Sequence, residues 1–105
     1  MEKIKIKFEY QCFPIWLYDN NNNLIDNELP SNLVGDAVID TLFVNLQEVF
    51  DSLFINDGIE FKYVGFIQEN LKHEFIQQLD NAIIILKERI GNRYIIENCL
   101  NLQDL

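Results

Sequence analysis

The sequence contains few of the residues that usually build catalytic centres or disulfide frameworks. Its 105 residues include two cysteines, one histidine, two prolines and four glycines. Cys12 and Cys99 lie near opposite ends of the chain, too few for a disulfide scaffold and without the spacing of a zinc site. We therefore expect two reduced thiols, no bound metal and no cofactor.

The sequence also lacks a long apolar run. A transmembrane helix needs about 20 mainly apolar residues, and no segment approaches that length. The N-terminal MEKIKIKFEY alternates lysine with apolar residues and has no continuous apolar stretch of the signal-peptide kind. These absences predict a cytoplasmic protein with no membrane partner.

The apolar content of the chain is sufficient for one hydrophobic core. Hydrophobic residues make up 49% of the sequence, which places it outside the disordered and the highly charged coiled-coil classes. No linker rich in proline, glycine or serine and no internal repeat divides the chain. We therefore expect one domain over residues 1–105.

Basic residues are missing from half of the chain. Residues 8–61 contain ten carboxylates and no lysine or arginine, a charge of −10, whereas the remainder has eight basic and seven acidic residues, a charge of +1. Such a field repels nucleic acid and anionic membranes and accelerates association with a cationic partner. The distribution predicts a basic protein partner and no nucleic-acid partner, although a merely solubilising surface has the same charge.

Apolar periodicity predicts four strands. Residues 3–10 alternate lysine and Glu9 with apolar residues, and residues 12–18 form a second apolar run, with Pro14 expected at a sheet edge or bulge. A DNNNN turn then precedes a short return at residues 24–25. The segments IEFKYV, after an Asn-Asp-Gly turn, and RYIIEN predict the other two strands.

Two segments have the period of an amphipathic helix. The first extends from Asp36, a predicted N-cap, to about Phe54, and the second extends from about Gln68 to Ile90, with Gly91 as its terminating residue. The predicted inward positions are Ile39, Leu42, Leu46, Val49 and Leu53 in the first helix and Leu71, Phe75, Leu79, Ile83, Leu86 and Ile90 in the second.

The resulting order is β-β-α-β-α-β. Two helices with one apolar stripe each pack best on one face of a sheet. We therefore predict an α+β fold, a two-layer sandwich with a mainly antiparallel sheet of about four strands and both helices on one face.

Carboxylates and a few exposed apolar side chains are the candidate binding residues. Val44 is predicted on the polar side of the first helix, and Trp16 and Tyr18 lie opposite Ile15 and Leu17 on their strand. Such residues either anchor a partner or are isolated surface and packed side chains without a partner. The predicted partner-binding residues are Trp16, Tyr18, Asp19, Asp26, Glu28, Asp36, Asp40, Val44, Glu48 and Asp51.

The one histidine, His73, lies near the start of the second helix with Glu69 and Glu74 nearby. No serine, cysteine or second histidine is spaced to complete a catalytic group with it. We therefore expect a surface histidine and no enzymatic activity.

Four segments carry a resemblance to a known group of proteins. CFPIWLYD, LIDNELP, DSLFIND and FKYVGF resemble parts of the small acidic immunity proteins of bacterial polymorphic-toxin systems, and the likeness covers about residues 8–98. The resemblance implies a cytoplasmic protein that binds a cognate toxin domain and blocks it. It assigns no functional residue, because immunity proteins use different surfaces.

Charge and resemblance together predict an inhibitor that occludes a basic toxin domain, for example a nuclease, whose substrate groove must be basic. Three alternatives fit the same sequence: a phage-type inhibitor that mimics nucleic acid, a small enzyme with a pocket at His73 or the carboxylates, and a structural domain that self-associates through the sheet face bearing Trp16. We expect a monomer or a weak dimer.

Overall fold

The chain folds into two layers, a four-stranded sheet and a pair of helices, with a separate hairpin beside them. The structure, a computed structural model, describes residues 1–101, 103 and 105. The α+β class and the two-helix arrangement predicted from sequence are confirmed. The elements in chain order are β1 (Glu2–Ile6), β2 (Ile15–Tyr18), β3 (Leu24–Asp26), a 3-10 turn (Ser31–Leu33), α1 (Ala37–Asp51), β4 (Phe54–Asn56), β5 (Phe61–Tyr63), α2 (Glu69–Ile90) and β6 (Tyr94–Asn98).

The main sheet has the order β3-β2-β1-β6. β2 is antiparallel to both β1 and β3, whereas β6 is parallel to β1, with Ile4 opposite Ile96. The sheet is therefore mixed, because α2 carries the chain back across the layer before β6 pairs with β1. Pro14 does not lie at an edge, since β2 is an inner strand. It directly precedes the first residue of β2, so its missing N–H costs no ladder hydrogen bond.

The core lies between the sheet and the helices. Strand alternation directs four side chains toward the helices, and both helices bury one stripe against them. The buried residues from these elements are Ile4, Ile6, Ile15, Leu17, Ile39, Phe43, Leu46, Phe50, Phe75, Leu79, Ala82, Ile83, Leu86 and Ile90. Five of the six inward positions predicted for α2 are in this set, whereas Leu71 is 37% exposed.

The inward stripe of α1 differs from the prediction. Phe43 and Phe50 are buried, while Leu42 and Val49 are only half-buried. Both buried rings pack against phenylalanines of the segment between β1 and β2. Phe43 contacts Phe13 at a centroid distance of 6.5 Å, and Phe50 contacts Phe8 at 5.3 Å.

The hairpin corrects two further predictions. The sequence placed Phe54 at the helix end and residues 59–64 in the main sheet, but residues 54–56 form β4, which pairs only with β5. Phe54 and Phe61 stack at 5.4 Å, and Tyr10 packs against both at 5.0 and 4.9 Å. This aromatic contact holds the hairpin at the end of the core. The fourth strand of the main sheet is instead β3, the short return predicted after DNNNN, which forms one edge of the sheet.

The helix termini match the predicted caps. The Asp36 carboxylate accepts hydrogen bonds from the backbone N–H groups of Val38 and Ile39, both at 3.2 Å. Gly91 has φ +64° and donates its N–H to the Lys87 carbonyl at 2.9 Å. Neither helix described here is long and apolar enough to cross a membrane.

We predict that Phe43→Ala lowers the free energy of unfolding by about 3–5 kcal/mol, because it removes a fully buried ring and leaves a cavity. The adjacent Leu42→Ala, at a half-buried position, should cost less than about half as much. Urea denaturation of the two variants measures the difference. Equal losses would contradict the burial pattern of α1.

Candidate functional site

Several acidic side chains of residues 8–61 organise the backbone locally. Asp19 accepts hydrogen bonds from the N–H groups of Asn21 and Asn23, both at 2.9 Å, and closes the asparagine turn. Asp57 closes the hairpin turn by accepting from the N–H groups of Ile59 and Glu60 at 3.0 and 2.7 Å. These bonds to the charged form lower the pKa of both aspartates. Asp19 is therefore a turn residue whether or not it also contacts a partner.

Asp36 joins the two helices. Besides capping α1, its carboxylate forms an ion pair with the Arg89 guanidinium in the last turn of α2. The backbone N–H of Ile39, followed by the Arg89 guanidinium, lowers the pKa of Asp36 below its ordinary value. Its negative charge is thus matched within the chain, which leaves less of it for a basic partner.

Asp51 also has an internal partner. Its carboxylate accepts a hydrogen bond of 2.7 Å from the backbone N–H of Gln11, a residue with φ +58°. The bond fastens the loop between β1 and β2 to the last residue of α1. Three of the predicted binding residues, Asp19, Asp36 and Asp51, therefore have structural tasks, of which the Arg89 ion pair of Asp36 and the Gln11 contact of Asp51 were not indicated by sequence position.

Three other predicted acids surround a surface hollow. Glu28 and Asp40 line a depression of about 240 Å³, and Asp26 lies next to Glu28. The remaining lining residues are Phe13, Asn27, Leu29, Val34 and Gly35. Within the described part of the chain, no lysine or arginine forms an ion pair with these acids. The hollow therefore combines apolar and acidic lining residues, and no ion pair within the described chain compensates its charge; we call it the acidic hollow.

The backbone around the acidic hollow is held in place by Asn27. Its side-chain amide donates to the carbonyl oxygens of Phe13 and Ile15 at 2.6 and 2.8 Å, which ties the loop after β3 to the start of β2. The buried Leu29, Pro30 and Leu33 then bring the chain to α1, whose first turn carries Asp40. The acids are thus presented on a fixed frame, which a binding surface requires.

Crowding of carboxylates perturbs Glu28. The negative charge of Asp26 and a side-chain hydrogen bond with it raise the pKa of Glu28 above its ordinary value. Like charges held this close are destabilising in the isolated protein, and a cation placed between them would relieve the repulsion. Beside them, Val34 is 68% exposed.

Trp16 and Tyr18 lie on the sheet face that points away from the helices. Both are half-buried because lysines from β1 and the residue after it cover them. The Lys5 ammonium lies 4.3 Å from the centre of the Tyr18 ring, and Lys7 lies 4.8 Å from that of Trp16. The Trp16 indole N–H donates to the Lys7 carbonyl at 3.1 Å, and the Lys7 ammonium donates to the Tyr18 hydroxyl at 2.9 Å. The rings of Trp16 and Tyr18, the Trp16 indole N–H and the Tyr18 hydroxyl are therefore already engaged in contacts within the chain.

The remaining predicted residues lie on α1. Val44 is half-buried, and Glu48 is exposed on the outer surface of the helix. Because α1 and the outer sheet face are on different layers, the structure does not bring all ten predicted residues into one surface. It brings together Asp26, Glu28 and Asp40. Whether any of the ten binds a partner stays a prediction.

His73 is exposed on α2. Among the described residues, no group of three or more histidine, cysteine or acidic side chains is arranged to hold a metal ion. Cys12 and Cys99 are both free thiols. We therefore derive no catalytic step from these residues.

Sequence reasoning missed Phe13, Asn27 and Val34 in the acidic hollow. Phe13 and Val34 were ordinary apolar residues of a strand and a loop, and only their position beside the acids distinguishes them. The LIDNELP segment offered one indication of Asn27, since asparagine between two acids in a loop often bonds to backbone.

No protein-family model matches this chain, and no curated protein matches it significantly.

We predict that Asp26→Asn lowers the pKa of Glu28 toward the ordinary glutamate value, because it removes the largest cause of the upward shift. A raised folded pKa favours folding below the unfolded pKa and loses that contribution as the pH rises through the folded value. Asp26→Asn should therefore stabilise the protein more at pH 7 than at pH 4. Carbon-detected NMR titration and urea denaturation measure the two effects. Asp40→Asn, across the hollow, is the control and should change the Glu28 pKa less.

We predict the opposite pH dependence for Asp36. Its folded pKa is lowered, so the stability it contributes is complete above the unfolded pKa and disappears as the pH falls through the folded value. Asp36→Asn keeps a good N-cap but loses the charge opposite Arg89. The stability difference between wild type and Asp36→Asn should be largest at pH 7 and smallest near pH 2 in urea denaturation. A difference that does not vary with pH would contradict the role of the ion pair.

Proposed function

We propose that this protein is a cytoplasmic immunity-type inhibitor that binds a basic toxin domain through the acidic hollow and blocks it by occlusion. The observation that carries the proposal is that Glu28 and Asp40 line one hollow with the exposed Val34, that Asp26 lies next to Glu28, and that no ion pair within the described chain compensates these acids. The structure-building acids of the same segment are not required for this role.

The arrangement suits a protein surface that presents lysine or arginine. A cation that enters between Asp26 and Glu28 would be attracted to both carboxylates and would also offset the repulsion between them. Both effects would favour the bound state. The apolar side chains of Phe13, Leu29 and Val34 beside the charges support a partly desolvated contact of the kind that slows dissociation. A nuclease is a reasonable target class, because its phosphate-binding groove is basic and carboxylates can imitate phosphates.

Two alternatives have less support. Self-association through the outer sheet face would have to displace the lysines that lie over Tyr18 and Trp16. Mimicry of nucleic acid by a phage-type inhibitor would use the same carboxylates, and the identity of the captured partner separates it from immunity. We propose no enzymatic role.

The proposal is tested by capturing the partner from the source cell with tagged wild-type protein and identifying it by mass spectrometry. Co-expression of the captured protein should then arrest growth unless this protein is also present. Capture of no basic protein, or a captured protein whose activity is unaffected by binding, would contradict the proposal.

We predict that reversing Asp26, Glu28 and Asp40 to lysine slows association with the captured partner by about tenfold or more at low salt, because electrostatic steering acts before contact. The matched control reverses Glu69, Asp80 and Glu88 on α2, which changes the net charge equally but leaves the hollow intact. Stopped-flow kinetics at several salt concentrations measure both. Equal slowing in the two triple variants would mean that only total charge matters.

Val34→Ser should chiefly accelerate dissociation of the same complex, because the proposed contact buries this exposed side chain. Ile84→Ser on α2 is the control, since Ile84 is also exposed, at 55%, and does not line the hollow. An unchanged dissociation rate for Val34→Ser would remove Val34 from the interface.

A further inference from the structure

A second surface of the molecule, separate from the acidic hollow, has the form of a groove. α1 and α2 are antiparallel, because Asp36 at the start of α1 pairs with Arg89 at the end of α2. Toward the other end of the pair, two adjoining depressions of about 290 and 600 Å³ share Val49, Ser52 and Gln78 as lining residues. Together they form a groove between the outer surfaces of the helices, which we call the helix groove.

The smaller depression of the helix groove has an apolar base, whereas the larger one is lined by Leu42 and Val49 together with polar side chains. Leu53 and Phe75 are buried beneath the smaller depression, and Phe66, Val49 and Leu71 form its sides. Ile67, at the edge, is 88% exposed. An isoleucine this accessible beside an open apolar depression leaves hydrophobic area that no part of the described chain covers.

The charges along the helix groove have one sign. Glu48 projects from α1 and Glu74 from α2, and neither depression is lined by lysine or arginine. An apolar base between two acidic walls is complementary to a ligand with an apolar stripe between basic flanks.

The lining positions follow helical spacing. On α1 they are residues 42, 45, 48 and 49, with Ser52 directly after the helix, and on α2 they are residues 71, 74, 75 and 78. The ten steps from Leu42 to the C-cap Ser52 correspond to about 15 Å along the helix axis, or nearly three turns. A third helix placed along the groove could therefore align residues at i, i+4 and i+7 with the apolar base.

We propose that the helix groove binds an amphipathic helix of another protein, with apolar residues at i, i+4 and i+7 and lysine or arginine on both flanks. The occupant is defined by the groove's own chemistry: helical length, apolar base and acidic walls. The proposal does not depend on the toxin-inhibitor role, and it involves different residues from the acidic hollow.

A second copy of this chain does not fit the groove. α1 contains no basic residue, so its insertion would bring acidic side chains against Glu48 and Glu74. α2 has basic residues in its last turn, but its apolar stripe is buried in its own core. The described helices therefore provide no basic amphipathic surface for the groove.

The experiment uses a fluorescent synthetic peptide of about 15 residues, with leucines at i, i+4 and i+7 and lysines on the flanks. Its binding to the full chain is followed by fluorescence anisotropy. We expect saturable binding at micromolar peptide, and we expect the combined Ile67→Ser and Leu71→Ser variant to weaken it by about tenfold or more. Ile84→Ser, at an exposed isoleucine of α2 outside the groove, should change the affinity by less than about twofold.

Charge variants separate the groove from the rest of the acidic surface. Glu48→Lys with Glu74→Lys should weaken peptide binding by about tenfold, whereas Asp80→Lys with Glu88→Lys, an equal change in net charge, should have an effect below about threefold. Glu28→Lys with Asp40→Lys should also leave binding within about threefold of wild type. Circular dichroism of each variant confirms that the fold is retained.

Four results would overturn the proposal. They are equal loss in the Glu28 and Asp40 variant, equal affinity for a peptide with glutamate in place of lysine, saturable binding absent up to about 1 mM peptide, and a groove-dependent dimer of the chain in sedimentation. Equal loss in the Glu28 and Asp40 variant would place the peptide in the acidic hollow. A groove-dependent dimer would place a second copy of the chain in the groove. Capture of a toxin through the acidic hollow is tested separately, by the experiment with the tagged protein, so the two proposals can fail independently.

Discussion

Burial of the inner face of β1 and β2 beneath both helices is the constraint on which the rest of the molecule depends. Ile4, Ile6, Ile15 and Leu17 contribute the sheet half of one continuous core. Because strand side chains alternate, burying this face directs Lys3, Lys5, Trp16 and Tyr18 outward. Because each helix has one apolar stripe, packing it inward places the acids of α1 on the outside. The charge pattern of the surface is therefore a consequence of the core.

The outward-facing charges then differ between the outer sheet face and α1. On the outer sheet face, lysines lie over aromatic rings and Lys3 pairs with Glu97 at 3.2 Å. α1 and the loop before it carry acids, some of which hold turns and termini, while others form no ion pair within the described part of the chain. Asp36 illustrates the first kind and Glu28 the second, and their pKa values move in opposite directions because one meets a guanidinium and backbone donors and the other meets a carboxylate.

Much of the fold could be predicted from local pattern. The α+β class, the N-cap at Asp36, the terminating Gly91 and the extent of α2 all follow from periodicity and capping chemistry, which act within a few residues. The failures were non-local. Which of Phe43 and Leu42 is buried depends on the residues that lie opposite the helix. Pairing of β4 with β5 depends on Tyr10, which packs against Phe54 and Phe61. The parallel pairing of β6 with β1 likewise depends on how α2 crosses the sheet.

The sequence by itself determined the number of apolar stripes, the start of α1, the extent of α2 and the exclusion of basic residues from residues 8–61, since these are properties of composition and short-range spacing. Only the tertiary structure decided which acids share a surface. Asp40 and Glu28 are twelve positions apart in the chain and line the same hollow, whereas Asp36, four positions before Asp40, is matched by Arg89 from the far end of α2. Charge can be counted along a chain, but its compensation depends on distances that are set when the helices pack on the sheet.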